Sequence, residues 1–278
     1  MEISLEKIQE LKEIAREVRC HVVKMINLAQ VGHPGGSLSA VDLLVALYFH
    51  IMRIDPLNPN WEERDRFILS KGHAASALYA TLALKGFFAL TDLETFGKIN
   101  SKLQVHPDMR KVPGVEASTG ALGQGLSIGV GLALGGRLSR LNYHVYVLMG
   151  DGELQEGQVW EAAMCASHYK LDNLTAIVDY NQVQLMGPID QVMSIGNLND
   201  KWNSFGWSVF EIDGHNFSQI VDACLGALST KGKPSVIIAH TVKGKGCSFM
   251  EGRYEWHGKP LSNEDLVRAL KELRGEQK

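Results

Sequence analysis

Cysteine is scarce. Cys20, Cys165, Cys224 and Cys247 are the only four in 278 residues, and no two form a C-x-x-C pair. Scattered thiols of this kind fit a reducing cytoplasm, where they stay free. No apolar run is long enough to cross a bilayer. The opening Met1-Glu2-Ile3-Ser4-Leu5-Glu6 is charged and reads as the start of a helix, not as a signal peptide. A cytoplasmic protein without a membrane partner is therefore expected. Charge of one sign is also missing: 28 basic and 31 acidic residues give a net charge of −3, which leaves no footprint for nucleic acid. There is no internal repeat, no low-complexity tract, no G-x-x-x-x-G-K-[ST] loop and no Gly-x-Gly-x-x-Gly after the first strand.

What is present is an alternation of helical and strand-like stretches. Ile8, Leu11, Ile14, Ala15, Val18, Val22, Met25 and Ile26 recur at helical spacing over residues 5–29. The Gly32-His33-Pro34-Gly35-Gly36 stretch must break that helix, and Ser37 or Ser39 is expected to cap a second one reaching residue 52. Phe67-Ile68-Leu69 reads as a short buried strand, followed by a helix over 74–84. Thr91 is expected to cap residues 92–96. Residues 100–119 and 241–260 are long irregular stretches, which in compact domains are usually functional or disordered. A helix over 122–138 carries glycines at 125, 129, 131, 135 and 136. Each costs roughly 1 kcal/mol against alanine, so close packing on another backbone is expected, an equivalent helix of a second subunit being one candidate. Further strands are read at 207–212 and 235–239, with helices at 218–228 and 262–273. The pattern implies one α/β domain over residues 1–278, a mainly parallel sheet flanked by helices on both faces.

Gly150-Asp151-Gly152 closes the apolar run 145–149. A second run, 174–178, ends before Asp179-Tyr180-Asn181, which places Asn181 30 positions after Asp151. A strand, a helix and a parallel strand bring both strand ends to one edge of the sheet. Two oxygen-bearing side chains meeting there suit magnesium, which favours a few protein oxygens completed by phosphate oxygens. Taken alone, the glycine-aspartate-glycine stretch is equally a tight turn. Four of the ten histidines, His33, His73, His106 and His257, sit in loops flanked by glycine or proline, where reactive groups concentrate. His21, His50 and His168 sit in helical patterns and read as structural. Glu156 and Glu161 lie after the Gly-Asp-Gly turn and are either a solvated acidic face or functional carboxylates. Lys243 and Lys245 lie in a glycine-rich loop, either solvated or forming a positive lid. Residues 120–125 open a helix whose N–H groups attract anions.

Together with Ser70-Lys71-Gly72-His73, Val105-His106-Pro107, Ser118-Thr119-Gly120-Ala121-Leu122-Gly123-Gln124-Gly125 and Trp256-His257-Gly258, these motifs resemble those of the transketolase family, in the family's order. They extend from Gly32 to about residue 261. The resemblance implies the thiamine-diphosphate-binding (PP-type) fold, with thiamine diphosphate and magnesium as cofactors, calcium or manganese being able to substitute. It assigns the metal to Asp151, Asn181 and the backbone carbonyl of Val183. Position 180 is tyrosine where the wider signature often has asparagine or aspartate, and it does not carry the metal. The resemblance further places Gly120 and Leu122 against the aminopyrimidine region and Gly152, His73 and Lys243 at the diphosphate. His33 and His257 would line the reacting carbonyl and hydroxyls, with His257 also against the cofactor, and His106 would hold the donor's terminal hydroxymethyl group. Glu156 and Glu161 resemble acidic residues that link paired sites.

The resemblance covers only the family's first domain. The pyrimidine-binding and C-terminal domains are absent from this chain, and with them the glutamate that activates the aminopyrimidine and the arginines that grip the sugar phosphate. The expectation is a split transketolase: a separate C-terminal subunit, an α2β2 heterotetramer, and transfer of a two-carbon ketol unit from a ketose phosphate to an aldose phosphate, as in the pentose phosphate pathway. Rival readings are a deoxyxylulose-phosphate synthase-like or keto-acid dehydrogenase E1-like subunit, and a non-catalytic cofactor-binding subunit.

Overall fold

The computed structural model describes residues 3–276. The first helix, α1 (Leu5–Ala29), begins where Ser4 accepts a hydrogen bond from the Lys7 N–H, and ends at Gln30 in the left-handed region. The apolar stripe anticipated from its spacing is buried at Leu11, Ala15, Val18, Val22 and Ile26. Next come α2 (Pro34–Ser39), α3 (Val41–Ala46) and a π turn, Leu47–Ile51. The capping expectation fails here. Proline takes the first helical position, where its missing N–H costs nothing, so Ser37 and Ser39 fall inside the helix and are fully buried.

The order continues β1 (Arg66–Leu69), α4 (Ala75–Lys85), α5 (Gln124–Leu138), β2 (Val145–Gly150), α6 (Gly157–His168) and β3 (Leu174–Tyr180). A small hairpin, β4 (Val183–Gln184) and β5 (Gly187–Pro188), precedes α7 (Ile189–Val192), α8 (Leu198–Ser204), β6 (Ser208–Asp213), α9 (Phe217–Ser229), β7 (Ser235–His240) and α10 (Asn263–Arg274). Thr91 caps nothing: a 3-10 turn, Leu90–Thr95, already encloses it and starts from Ala89. The last helix, read from the sequence as 262–273, is capped by Ser262, closed by a reciprocal bond with Asp265.

Five strands form one parallel sheet in the order β1-β2-β3-β7-β6. Successive strand residues point to opposite faces, and the core divides accordingly. Phe67, Leu69, Tyr146, Leu148, Ile177 and Ile237 pack with α1, α3, α4 and α9. Ile68, Val147, Met149, Ala176, Val178 and Val236 pack with α5, α6 and α8. The parallel α/β architecture with helices on both faces is therefore as expected. No described helix is long and apolar enough to cross a membrane.

The glycines of α5 divide the same way. A Cβ on Gly125 would lie 2.3 Å from the Ser70 Cβ, one on Gly129 2.6 Å from a Val147 methyl, and one on Gly136 2.8 Å from the Tyr143 ring. These three seat the helix on the chain's own sheet and the loop after β1, so the close packing lies within the chain at these positions. Gly131 and Gly135 would meet nothing within 4 Å. Gly125→Ala must therefore push backbone against Ser70 and should destabilise the chain by about 1–3 kcal/mol. Gly131→Ala should stabilise it by about 0.5–1 kcal/mol by removing helix-interior glycine. Urea midpoints of the two variants moving in the same direction would contradict this packing account.

Candidate active site

Parallel register decides where the polar residues go. Gly150 at the end of β2 pairs with Asp179 in β3, and Tyr180 pairs with His240 at the end of β7. The residues just beyond, Asp151, Asn181 and Lys243, therefore emerge at one edge. They line a crevice of about 240 Å³ together with Lys71, His73, Gly152, Glu156, Gln184 and His257. A larger cavity of about 340 Å³ lies elsewhere, beside Arg64 and Glu116. Its one carboxylate is already gripped by Arg64 through two bonds of 2.9 Å.

Asp151 and Asn181 line the same crevice, as their spacing implied. The Asp151 carboxylate accepts hydrogen bonds from the backbone N–H groups of Gly152, at 2.7 Å, and of Gln182, next to Asn181. The Asn181 carbonyl oxygen accepts from the Val183 N–H at 3.2 Å. Burial pushes the Asp151 carboxyl up to about 6, and the charge of Asp179 adds to the push. A divalent cation offsets that desolvation directly, and an acidic residue, an amide oxygen and a backbone carbonyl are hard donors suited to magnesium. The Val183 carbonyl accepts from Lys243 Nζ at 2.8 Å. Among the described residues no group of three histidine, cysteine, aspartate or glutamate side chains is gathered so as to hold a metal ion.

The four loop histidines gather. Ring centroids lie 5.3 Å apart for His33 and His73, 5.5 Å for His33 and His257, 5.1 Å for His73 and His257, and 6.1 Å for His33 and His106. Glycine makes this possible. A Cβ on Gly72 would strike the Gly120 nitrogen at 2.8 Å, and one on Gly120 would approach the His106 ring at 3.2 Å. Burial lowers His33 to about 4, with His106 and the two lysines adding repulsion. It lowers His257 to about 3, helped by Lys243 and His33, and drives His73 well below its ordinary value. All three are neutral near pH 7, each able to donate from one nitrogen and accept at the other. Lys243 Nζ lies 3.2 Å from His257 Nδ1; as the ammonium can only donate, that nitrogen accepts and the ring proton sits on Nε2. Burial also lowers Lys243, to about 8, with Lys71 contributing.

Other expectations divide. Leu122 and Gly152 line the crevice, and Gly120 lies against His106. Glu156 lines it but is exposed, and Glu161 is exposed on α6 outside it. Lys245 is half-exposed beside Glu251 at 3.7 Å and stays out of the crevice. Several buried polar groups escaped the sequence reading. Glu153 accepts from Ser70 Oγ, the Gly123 N–H at 2.9 Å and the Gly150 N–H at 3.0 Å, tying three loops. His215 accepts from the Val242 N–H at 2.8 Å and donates to Asp42, itself held by Arg19. Lys71 pairs with Asp179. Lys71 lay within a motif already noticed, yet nothing in its neighbours showed that its partner lies more than 100 residues away.

The family model for the transketolase thiamine diphosphate binding domain matches residues 10–277. The chain belongs to the transketolase family. It is 46% identical over 267 residues to the 6-deoxy-6-sulfo-D-fructose transketolase subunit SqwG of Clostridium sp. (strain MSTE9), covering 96% of this chain and 97% of that relative. It is 39% identical to human transketolase, covering 96% of this chain but 42% of the human one. Among solved structures, transketolase from Leishmania mexicana superposes with a TM-score of 0.91 at 30% identity, over 96% of this chain and 42% of that one. This transketolase-family chain thus corresponds to the part that carries the thiamine diphosphate binding fold.

The lowered histidines have a testable sign. Their folded values lie below the unfolded one, so the stability they contribute is present above about 6.5 and is lost as pH falls toward 4. In the metal-free chain, the NMR ring signals of His33, His73 and His257 should remain those of neutral imidazole at pH 5. Titration of all three near 6.5 would contradict the burial-and-lysine account.

Proposed function

We propose that this chain is the diphosphate-binding N-terminal subunit of a split transketolase, a single PP-type unit over residues 1–278. It would move a two-carbon ketol unit from a ketose phosphate to an aldose phosphate. The observation that carries the reading is the convergence of Asp151, Asn181, Lys243, His73 and His257 on one strand-tip crevice, with the His33 ring against both of these histidines and His106 beside His33. Relatives matched over 95–97% of their own length are named as transketolase subunits, one for 6-deoxy-6-sulfo-D-fructose and others for apulose-4-phosphate. This chain's partner would be a complementary C-terminal subunit in an α2β2 assembly, with sites at subunit interfaces.

In this reading the Asp151 carboxylate, the Asn181 carbonyl oxygen and the Val183 backbone carbonyl hold magnesium, or calcium or manganese in its place. Gly152, His73 and Lys243 face the diphosphate. Gly120 and Leu122 offer backbone groups to the aminopyrimidine. When bound, thiamine diphosphate supplies the carbon nucleophile and the electron sink for breaking a carbon–carbon bond beside a carbonyl. The chain's own contribution is proton handling. His33 and His257, both neutral, can donate a ring N–H to a substrate oxygen or take a hydroxyl proton, and the positive charge a ring gains in taking one is opposed by Lys71 and Lys243. His106 holds the donor's terminal hydroxymethyl group. Glu156, which precedes α6, and Glu161, within it, would link paired sites across an interface. A synthase-like or E1-like subunit would not need His106 and the Trp256-His257-Gly258 stretch in this position, and a non-catalytic subunit would not need all four histidines.

Mixing the chain with its complementary subunit should give ketol transfer from xylulose 5-phosphate, with pyruvate a poor donor and the lone chain nearly inactive. Asp151→Ala should remain folded yet lose magnesium affinity at least 10–100-fold, the range seen when even supporting residues of metal sites are removed. Full activity of the lone chain, or unchanged magnesium affinity in the variant, would refute the proposal.

A further inference from the structure

We infer that Asp179 is the positioning residue of this crevice, a carboxylate near the end of β3 that fastens the end of α2 and the loops after β1 and β7 to one point behind the reactive groups. Asp179 is completely buried, as is Ser39, and Lys71 is 1% exposed. Its Oδ2 accepts from Ser39 Oγ at 2.6 Å and from Lys71 Nζ; its Oδ1 accepts from Thr241 Oγ1. Each donor stands beside a group of the site. Lys71 and Thr241 each lie two residues before one, His73 and Lys243, and Asp179 itself lies two residues before Asn181. Ser39 ends the short helix that begins directly after His33. A single carboxylate thus sets the position of a histidine on either side of the crevice, a metal-loop amide and the lysine nearest the expected diphosphate.

Neighbouring backbone bonds reinforce the same point. The Thr241 N–H donates to the Tyr180 carbonyl at 3.2 Å, and the Gly244 N–H to the Gly35 carbonyl at 2.9 Å. A Cβ on Gly36 would lie 3.2 Å from His73 Nε2 and 3.5 Å from Lys71 Nζ, so the lysine, the histidine and the start of α2 are packed in contact. Lys71 also lines the crevice despite its burial, which leaves its ammonium facing the site while Asp179 anchors it.

Fold stability alone is a poor reason for such a group. A buried ion pair recovers its desolvation cost only with good geometry, and apolar replacements of similar volume are often neutral or stabilising. Here both carboxylate oxygens are bonded, and the bonds run to the end of α2 and to two loops at the crevice instead of joining two core helices. Only the calorimetric arm of the test below rests on the proposed function; the positional arm does not.

The test uses hydrogen exchange of the metal-free chain, read in segments 33–39, 70–74, 179–184 and 241–246, with α1 and α9 as controls. Two variants are compared: Thr241→Val, which removes one hydroxyl, and the paired Lys71→Met with Asp179→Leu, which removes both charges at similar volume. The expected result is at least tenfold faster exchange in all four segments of the paired variant, controls within twofold, and a melting point within a few degrees of the parent. Thr241→Val should loosen 241–246 and at least one of the other segments, and it decides the matter if the paired variant does not fold. Faster exchange confined to the substituted segments, or spread evenly through the controls, would overturn the inference. In the second arm, magnesium and thiamine diphosphate are titrated into the chain with its complementary subunit. Binding at least tenfold weaker in the paired variant supports a positioning role, and unchanged binding overturns it. If the unsubstituted chain takes up no cofactor, the proposed function fails, while the exchange result still decides the role of Asp179.

Discussion

Parallel strand register is the constraint on which this site depends. In a parallel sheet all carboxyl ends lie along one edge, and the loops that follow them converge there. The pairing of Gly150 with Asp179 and of Tyr180 with His240 fixes the starting points of three loops relative to one another. The pairing of Leu69 with Leu148 fixes a fourth. Slipping any of these strands would separate Asp151 from the Asn181 loop or carry Lys243 away from His257. The sheet can hold that register because β1, β2, β3 and β7 are buried along nearly their whole length, with alternate side chains committed to opposite cores. A one-residue slip would exchange those commitments.

On that edge the protein keeps charge where burial opposes it. Asp151 is pushed up and Lys243 down by the same desolvation, and three histidines are held neutral. Asp179 is the exception: burial pushes it up, but the charge of Lys71 and its hydrogen bonds outweigh this and hold it low. One carboxylate is therefore settled by side-chain donors, and the other has backbone N–H partners. The difference matches the two proposals: Asp179 as the residue that holds the frame, and Asp151 as a metal ligand. Preorganised polar groups in a water-poor site are effective because they need little reorganisation when a ligand or transition state arrives.

Much of this was legible in the chain, and the boundary of legibility is physical. The bounds of α1 and the buried strands followed from periodicity because apolar burial is a local pattern. The loop histidines stood out because glycine and proline mark the places where the backbone turns. The capping expectations at Ser37 and Ser39 failed because a hydroxyl can serve a distant partner as well as a helix end: Ser37 meets Ser76, and Ser39 serves Asp179, 140 residues away. The one at Thr91 failed because its turn starts earlier, from Ala89. Glu153, His215 and the Lys71–Asp179 pair were missed for the same reason. Their neighbours in sequence look like ordinary strand ends and turns, and only the tertiary fold shows that they are buried and bonded. The helix glycines carried a correct message, close approach, at Gly125, Gly129 and Gly136, where the contacted surface is the chain's own.

The central claim is that Asp151, Asn181 and the Val183 carbonyl share one divalent ion at the mouth of the crevice. Crystals grown with manganese and thiamine diphosphate would test it through the anomalous signal of the metal. The account predicts one strong peak about 2–2.3 Å from an Asp151 oxygen, the Asn181 carbonyl oxygen and the Val183 carbonyl, with Lys243 turned to the diphosphate. A peak elsewhere, or cofactor bound in the crevice with no metal between these three oxygens, would contradict it.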